Sequence, residues 1–316
     1  MAILITGGAG LTGSELARAF LKRGEQVIIF DVFINDDLEK EKLGDLKQIK
    51  GDVTNWPQAL NAVKEYDVQT VFHLAAMLTV ASEANPWACF NVNALGTFHV
   101  LEAARLFGVK KVIFTSSIGS YGVSADTVVT EETIQRPTNI YGITKVFGEL
   151  LGMYYLRKFG IDFRCLRFPQ IVGPGAVAQG IGQYCPRMIE AAVLGNPFEA
   201  WVPEDTVMPM LYIRDAVRSL VMLHDAPEER MQTRIYGVGQ ITPAPTAREL
   251  ADEVKKHYPN ARITFRPEHN AMVILKNIPR QIRGDLAEAE WGWKLSYSLE
   301  EMVGDFIKEV KKMRSA

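Results

Sequence analysis

The chain opens with the segment AILITGGAGLTG, which runs from Ala2 to Gly13. Its first residues form a short apolar run that is typical of a buried strand, and glycines end that run at once. From Ser14 to Gly24, apolar side chains recur at helical spacing until another glycine stops them. Strand, glycine-rich turn and helix in this order predict the first β-α unit of a sheet.

The same alternation continues through the first half of the chain. Further apolar runs predict strands at QVIIFD, LKQIKGDVTN, TVFHLAA, KKVIFTSS and IDFRCLRF, with helical segments between them. Strands that are apolar on both faces and alternate with helices predict an α/β fold, a doubly wound parallel sheet of the Rossmann type.

The rhythm weakens after about residue 170, where a glycine-rich loop and short elements with prolines follow. We expect a smaller C-terminal substrate-binding lobe there, with the substrate cleft between lobe and sheet. The predicted NAD-binding Rossmann domain comprises residues 1–170 with part of 205–240, and the predicted lobe comprises about 171–204 and 241–316.

Composition excludes several classes of protein. The 316 residues are 47% hydrophobic and 23% charged with a net charge of −2, which argues against a general nucleic-acid or anionic-membrane binder. The apolar N-terminal run is too short for a signal peptide or a membrane span. Cys89, Cys165 and Cys185 lie far apart without metal-ligand spacing, so we expect free thiols rather than a disulfide, no metal site and a cytoplasmic location.

The glycine-rich turn has the chemistry of a dinucleotide site. Gly7, Gly10 and Gly13 permit a tight turn and a close approach of a pyrophosphate to the N-terminus of the following helix. Asp31 ends the next strand, where its carboxylate can accept hydrogen bonds from a ribose and would repel a 2′-phosphate. This favours NAD over NADP; the alternative is that Asp31 only caps a turn.

Ligands of doubly wound sheets collect beyond the carboxyl ends of the strands. Asp52 lies at such an end and is a candidate for the adenine edge, although an ordinary turn aspartate fits equally well. The candidate cofactor-binding residues at these ends are Gly7, Gly10, Leu11, Gly13, Asp31, Asp52, Val53, Leu74, Ala75, Ala76, Pro169 and Ile171.

Two tyrosine–lysine pairs with the same four-residue spacing occur in one predicted helix, Tyr141 with Lys145 and Tyr154 with Lys158. A helix advances about 100° per residue, so Tyr154 lies about 140° around the axis from Tyr141 and only one pair can face a cleft. The strand ending in Ser117 delivers hydroxyls where the cofactor is expected, which favours Tyr141. Tyr154 is predicted to lie on a packing surface.

Taken together, these motifs resemble the extended short-chain dehydrogenase/reductase superfamily over nearly the whole chain. The carrying segments are TGGAGLTG, GDV, HLAA, NVNALGT, TSSIGSYG, YGITK and RFPQIVGPG. The resemblance implies that Ser117, Tyr141 and Lys145 are catalytic, that Lys145 also holds the nicotinamide ribose, and that Asn93 orders the site and the cofactor. A tyrosinate favoured by the ammonium and the positive nicotinamide ring would take the substrate hydroxyl proton while hydride leaves.

Within that superfamily the chain is similar to the single-domain, epimerase-like L-threonine 3-dehydrogenases, above all in MPMLYIRDAVRSLV. This resemblance implies substrate contacts at Thr79 and Ser116, and a homodimer built through helices at roughly 90–107 and 141–158. We therefore expect an NAD-dependent oxidoreductase acting on a secondary alcohol of a small polar substrate, with L-threonine the first candidate. The alternatives are a sugar-nucleotide 4-epimerase that retains its NADH, and a non-catalytic dinucleotide sensor.

Substrate-facing positions depart from that family. Gly182 stands where a threonine is usual, Ile278 where a tryptophan is usual, and Gln170 where a glycine is typical. These departures indicate an enzyme of the same reaction class with a different small substrate, and Gln170 and Gly182 are candidate substrate contacts. Arg280 and Arg283 are candidates for binding a carboxylate, or they are solvated surface residues.

Overall fold

A computed structural model describes residues 1–122, 127–176, 180–275 and 278–315. Its strands are β1 Ala2–Thr6, β2 Gln26–Asp31, β3 Leu46–Lys50, β4 Thr70–His73, β5 Lys111–Ser117, β6 Val128–Val129, β7 Asp162–Phe168, β8 Gln170–Val172, β9 Phe198–Ala200, β10 Met210–Tyr212, β11 Ile235–Gly237, β12 Ile263–Phe265 and β13 Gln281–Ile282.

The α-helices are α1 Leu11–Leu21, α2 Asp36–Lys40, α3 Trp56–Lys64, α4 Thr79–Ala84, α5 Pro86–Cys89, α6 Gly96–Leu106, α7 Ile140–Phe159, α8 Tyr184–Leu194, α9 Ile213–Asp225, α10 Ala247–His257, α11 His269–Leu275, α12 Asp285–Trp291 and α13 Leu299–Ser315. A π-helical turn spans Phe90–Leu95, and 3₁₀ turns span Ile118–Ser120, Ile181–Gln183 and Glu228–Arg230. Among these helices none combines the length and apolar character that crossing a bilayer requires.

The central sheet has seven strands in the order β3-β2-β1-β4-β5-β7-β11, and each neighbouring pair is parallel. Strand β1 is buried along its whole length, as the apolar run at the start of the chain predicts. The strand order reverses between β1 and β4, and a crevice at such a point is where doubly wound sheets bind ligands. The predicted parallel α/β fold is confirmed.

The later part of the chain contributes to the sheet and adds smaller ladders. Strand β11 pairs with β7 at the sheet edge, and the two-stranded ladders β10-β8, β12-β9 and β13-β6 lie outside the sheet. Helices α8, α10 and α13 pack against one another, and Phe306 of α13 belongs to the same buried apolar cluster as Phe20 of α1. The division into two domains at the predicted boundaries stays a prediction.

One predicted helix is built differently. The segment predicted as a single helix over 90–108 consists of the π-helical turn Phe90–Leu95 followed by α6. The wide turn carries Asn93, which is 3% exposed and whose side chain bonds the backbone of Met77. Periodicity alone does not reveal a local widening of this kind, because the helix continues on both sides of it.

Candidate active site

A cleft of about 2120 Å³ lies over the carboxyl ends of the central strands. Pockets for drug-sized ligands measure about 300–1,000 Å³, so this cleft has room for a dinucleotide and a second molecule. Apart from Asn93 and the two candidate carboxylate-binding residues Arg280 and Arg283, the candidate site residues predicted from the sequence line it. They are Gly7, Gly10, Leu11, Gly13, Asp31, Asp52, Val53, Leu74, Ala75, Ala76, Thr79, Ser116, Ser117, Tyr141, Lys145, Pro169, Gln170, Ile171 and Gly182.

The glycine-rich turn brings the backbone to the cleft floor. Gly7 has a φ of 70°, and a Cβ there would lie 2.7 Å from the backbone nitrogen of Ala75. A Cβ on Gly13 would lie 2.6 Å from the Cα of Gly8. Helix α1 begins after Gly10 without a side-chain cap, so its first N–H groups are available to an anion at the cleft.

Asp31 joins two loops at one end of the cleft. Its Oδ2 accepts a hydrogen bond from the N–H of Ala9 (3.0 Å) and its Oδ1 accepts one from the N–H of Phe33 (3.2 Å). These bonds orient the carboxylate beside the glycine-rich turn. Asp52 also lines the cleft, and its Oδ1 accepts from the N–H of Thr54 (2.8 Å), which is the bonding of a turn aspartate.

Helix α7 presents Tyr141 and Lys145 to the sheet. The side chain of Asn139 caps the helix by accepting from the N–H of Gly142 (2.8 Å). Tyr141 is 8% exposed and Lys145 is 3% exposed. The Nζ of Lys145 lies 5.5 Å from the centre of the Tyr141 ring and donates to the carbonyl of Thr115 (2.7 Å).

Burial dominates the electrostatics of this pair. It raises the pKa of Tyr141 to about 12, while a hydrogen bond with Ser117 acts in the opposite direction. Burial lowers the pKa of Lys145 to about 8, against the smaller raising effects of Cys165, Glu149 and Cys89. In the protein alone the expected tyrosinate is therefore not favoured, because the loss of hydration outweighs the hydrogen bond with Ser117.

The second tyrosine–lysine pair lies away from the cleft. Tyr154 is 47% exposed, and its ring centre lies 5.9 Å from those of Tyr155 and Phe159. Lys158 is exposed as well, and neither residue of the pair lines the cleft.

Two of the candidate site residues, Asn93 and Ser116, use their side chains to bond other groups of the protein. The amide of Asn93 accepts from the N–H of Met77 (2.8 Å) and donates to the carbonyl of Met77 (3.0 Å) and to Thr144 Oγ1 (3.2 Å). Asn93 thus orders the wall of the cleft from behind rather than lining it. Ser116 lines the cleft, but its hydroxyl donates to Glu149 Oε1 (2.5 Å), so its hydrogen is not available to a substrate.

At the other end of the cleft, Gln170 and Gly182 touch. The amide of Gln170 donates to the carbonyl of Ile171 (2.7 Å), and a Cβ on Gly182 would overlap Gln170 Oε1 and lie 2.5 Å from its Cδ. Ile278 lines the cleft, whereas Arg280 and Arg283 do not. Arg283 pairs with Asp285, so the structure does not bring these arginines to the site.

Other residues of the site escape sequence reasoning. Gln183 lines the cleft, and its buried Oε1 has no hydrogen-bond partner among the described residues. It ends the 3₁₀ turn Ile181–Gln183, a segment with no periodic signal in the sequence. Glu149 is different, because the four-residue spacing of Tyr141 and Lys145 extends to it. Further lining residues that the motifs do not single out are Met77, Leu78, Ile118, Ile181 and Met208.

Comparison with known proteins shows which family this chain resembles. Residues 3–239 match the NAD dependent epimerase/dehydratase family. The chain is 33% identical over 315 residues to the mitochondrial L-threonine 3-dehydrogenase of Sus scrofa, covering 95% of this chain and 80% of that protein.

Solved structures agree with that comparison. The holo GalE-like L-threonine dehydrogenase from Cupriavidus necator is 30% identical with a TM-score of 0.91, over 98% of this chain and all (100%) of that one. The apo form of a metagenome-derived protein described as a monomeric L-threonine 3-dehydrogenase is 27% identical with a TM-score of 0.90, over 98% of this chain and 99% of that one. The chain therefore belongs to the NAD-dependent epimerase/dehydratase family and is an NAD-dependent enzyme of the short-chain dehydrogenase/reductase type.

Proposed function

We propose that this enzyme oxidises the secondary alcohol of a small polar substrate with NAD, as L-threonine 3-dehydrogenases do, and that L-threonine is the first compound to test. The observation that carries the proposal is the placement of Ser117, Tyr141 and Lys145 at one cleft wall, with the glycine-rich turn and Asp31 in the same cleft.

The cofactor roles follow from the fit of the cleft to a dinucleotide. The close-packed turn at Gly7 to Gly13 leaves no room for side chains against a pyrophosphate, and Asp31 suits a ribose without a 2′-phosphate. We propose that Lys145 holds the nicotinamide ribose and that Asn93 acts by positioning Met77. When bound, NAD accepts a hydride and places a positive ring in the site.

Tyr141 is assigned as the base that accepts the proton of the substrate hydroxyl. Its hydroxyl, once ionised, accepts the proton of the substrate hydroxyl, and Ser117 donates a hydrogen bond to the same oxygen. Burial keeps Tyr141 protonated until positive charge enters the site, because its pKa is about 12 in the protein alone. The ammonium of Lys145, which is anchored on the carbonyl of Thr115, favours the ionised form.

A sugar-nucleotide 4-epimerase is the second candidate, favoured by the name of the family and by the same three residues. Such an enzyme would retain its NADH and return the hydride to the other face of the sugar. A non-catalytic dinucleotide sensor is the third candidate, and it would bind NAD without turnover.

A panel of substrates separates these functions. Purified protein with NAD is supplied with L-threonine, other hydroxy acids, polyols and sugar nucleotides, and NADH is followed by absorbance. We expect net NADH formation with L-threonine or a close analogue. Isomerised sugar nucleotide with tightly held cofactor would instead establish the epimerase, and binding without any turnover would establish the sensor.

We also propose that two copies pair through an apolar face on the helices near residues 90–107 and 141–158. Exposed apolar side chains concentrate there, among them Phe98 (41%), Phe147 (40%) and Leu150 (64%). Light scattering is expected to give a dimer mass for the wild type and for Leu194→Glu, a matched change on α8, but a monomer mass for Leu150→Glu. A monomeric wild type, as the metagenome-derived relative is described, would refute the pairing.

Cytoplasmic location remains a further proposal. Its support is the state of Cys89, Cys165 and Cys185, which are buried free thiols as expected in a reducing compartment. Microscopy of a fluorescent fusion in its native host checks it; a signal outside the cytoplasm would contradict the proposal.

A further inference from the structure

Helix α7 carries a third buried residue on the face of the candidate catalytic pair. Glu149 lies one turn beyond Lys145 and is 1% exposed. Its Oε1 accepts from Ser116 Oγ (2.5 Å) and Arg167 Nε (3.0 Å), and its Oε2 accepts from Arg167 Nη2 (2.7 Å) and Gln135 Nε2 (3.0 Å). Each carboxylate oxygen therefore has two donors, in a part of the protein closed to water.

Arg167 anchors this carboxylate to the sheet. It lies on β7 directly opposite Ser116 of β5 and is 4% exposed. Its Nη1 donates to Tyr121 Oη (3.0 Å) and to the carbonyl of Glu131 (3.2 Å), in the segment that follows β5. A buried ion pair is weak evidence for stability, because the desolvation cost can exceed the Coulombic attraction. The role of the network is therefore judged from the strand positions that it joins.

The position of Ser116 suggests that role. Its two neighbours in the chain are Thr115, whose carbonyl receives Lys145 Nζ, and Ser117, which is hydrogen-bonded to Tyr141. We infer that Glu149, held by Arg167, is a positioning residue of the active site: it clamps Ser116 to α7, and thereby sets Thr115 and Ser117 against the helix face of Tyr141 and Lys145. The inference rests on the proposed function of those residues.

Glu149 also places a charge near Lys145. The groups that surround the ammonium are Tyr141 and Glu149 on α7, the Thr115 carbonyl and the Phe114 ring on β5, Cys165 on β7, Cys89 on α5 and His73 on β4. Burial raises the pKa of Cys165 well above its usual value and lowers that of His73 to about 3, so both are neutral. The carboxylate of Glu149, which is paired with Arg167, is thus one of the charges that oppose the effect of burial on Lys145.

The first experiment removes one hydrogen bond and leaves both buried charges in place. Ser116→Ala is expected to lower kcat at least about tenfold, since small misplacements of reacting groups are costly. The KM of the substrate and the affinity for NAD should not change, and Ser116→Thr, which keeps a hydroxyl, should restore kcat. A raised KM with unchanged kcat would make Ser116 a substrate contact, and unchanged kinetics with a lowered melting temperature would make the network purely structural; either result overturns the inference.

The second experiment needs no substrate. The titration of Lys145 is followed by NMR of isotope-labelled lysine side chains, with Lys145→Met identifying its signal. Glu149→Gln is expected to lower the titration midpoint of Lys145, and an unchanged midpoint would overturn the inference. Because this readout does not depend on turnover, it tests the role of Glu149 even if no compound reduces NAD. If Glu149→Gln fails to fold, the comparison of Ser116→Ala with Ser116→Thr decides the inference.

Discussion

The contact between Gln170 and Gly182 makes a prediction whose magnitude follows from the structure. Gly182→Ala would place a Cβ on top of Gln170 Oε1 and 2.5 Å from its Cδ, so the amide must rotate away. The rotation breaks its hydrogen bond to the carbonyl of Ile171, which is worth about 0.5–1.5 kcal/mol. The new Cβ would also lie 2.8 Å from Gln170 Cγ, and holding a side chain about 30° off its rotamer costs a further amount of about 0.5–1.5 kcal/mol.

Alanine also reduces the conformational entropy of the unfolded chain, and this stabilising effect partly offsets the loss. Gly182 lies in a 3₁₀ turn and is not among the glycines with positive φ, so alanine fits its backbone. Replacing glycine at such a position stabilises by about 0.4–1 kcal/mol. In the Gln170→Ala background we expect this gain to dominate, because the three atoms nearest to the new Cβ are removed with the Gln170 side chain. The expected coupling between the two changes is about 1–3 kcal/mol.

Urea denaturation of the four proteins measures this coupling, and KM values on the same proteins report its effect on the cleft, which both residues line. We expect Gly182→Ala to destabilise the wild type and to stabilise Gln170→Ala. Free energies that simply add would refute the reasoning, since the two side chains would then not compete for one space.

Further outcomes are expected at the cofactor end of the cleft and at Tyr141 and Lys145. Asp31→Ala should weaken NAD binding roughly tenfold to hundredfold in calorimetry, because charge-assisted hydrogen bonds are lost, while Asp52→Ala should change it much less. Gly13→Ala should abolish NAD binding in the same assay, because its Cβ would meet the backbone of the turn. Since the pKa of Tyr141 is about 12 and only its ionised form accepts a proton, kcat/KM for oxidation should rise with pH from neutral. Because the pKa of Lys145 is about 8, Lys145→Met should lower kcat/KM most below that pH, where the wild-type side chain is an ammonium; an equal loss above and below pH 8 would contradict the role of the ammonium.

The central sheet and the cofactor end of the cleft can be predicted from the sequence because neighbouring residues in the chain determine them. A glycine between a strand and a helix, or an aspartate at a strand end, takes its position from the adjoining periodic segments. Tyr141 could be separated from Tyr154 by helical geometry together with the strand that ends in Ser117. All three of these predicted positions, Tyr141, Ser117 and Asp31, line the cleft.

What the sequence does not reveal depends on contacts between distant segments. The bond of Asn93 to Met77 requires a π-helical turn that no periodicity announces. The contact of Gln170 with Gly182 joins strand β8 to the 3₁₀ turn before α8, which is distant in the sequence. The sequence indicates a tyrosinate favoured by Lys145 and the nicotinamide ring, but it does not reveal that Tyr141 is buried deeply enough to raise its pKa to about 12 in the protein alone.

The most direct measurement compares NADH formation by Tyr141→Phe and Tyr154→Phe, with NAD binding followed by calorimetry on both. We expect Tyr141→Phe to lower kcat by about 10²–10⁴-fold, as loss of a general base does, while NAD still binds. Tyr154→Phe, on the exposed face of the same helix, should retain nearly full activity. Substantial activity of Tyr141→Phe, or an equal loss in Tyr154→Phe, would contradict the assignment of Tyr141 as the catalytic base.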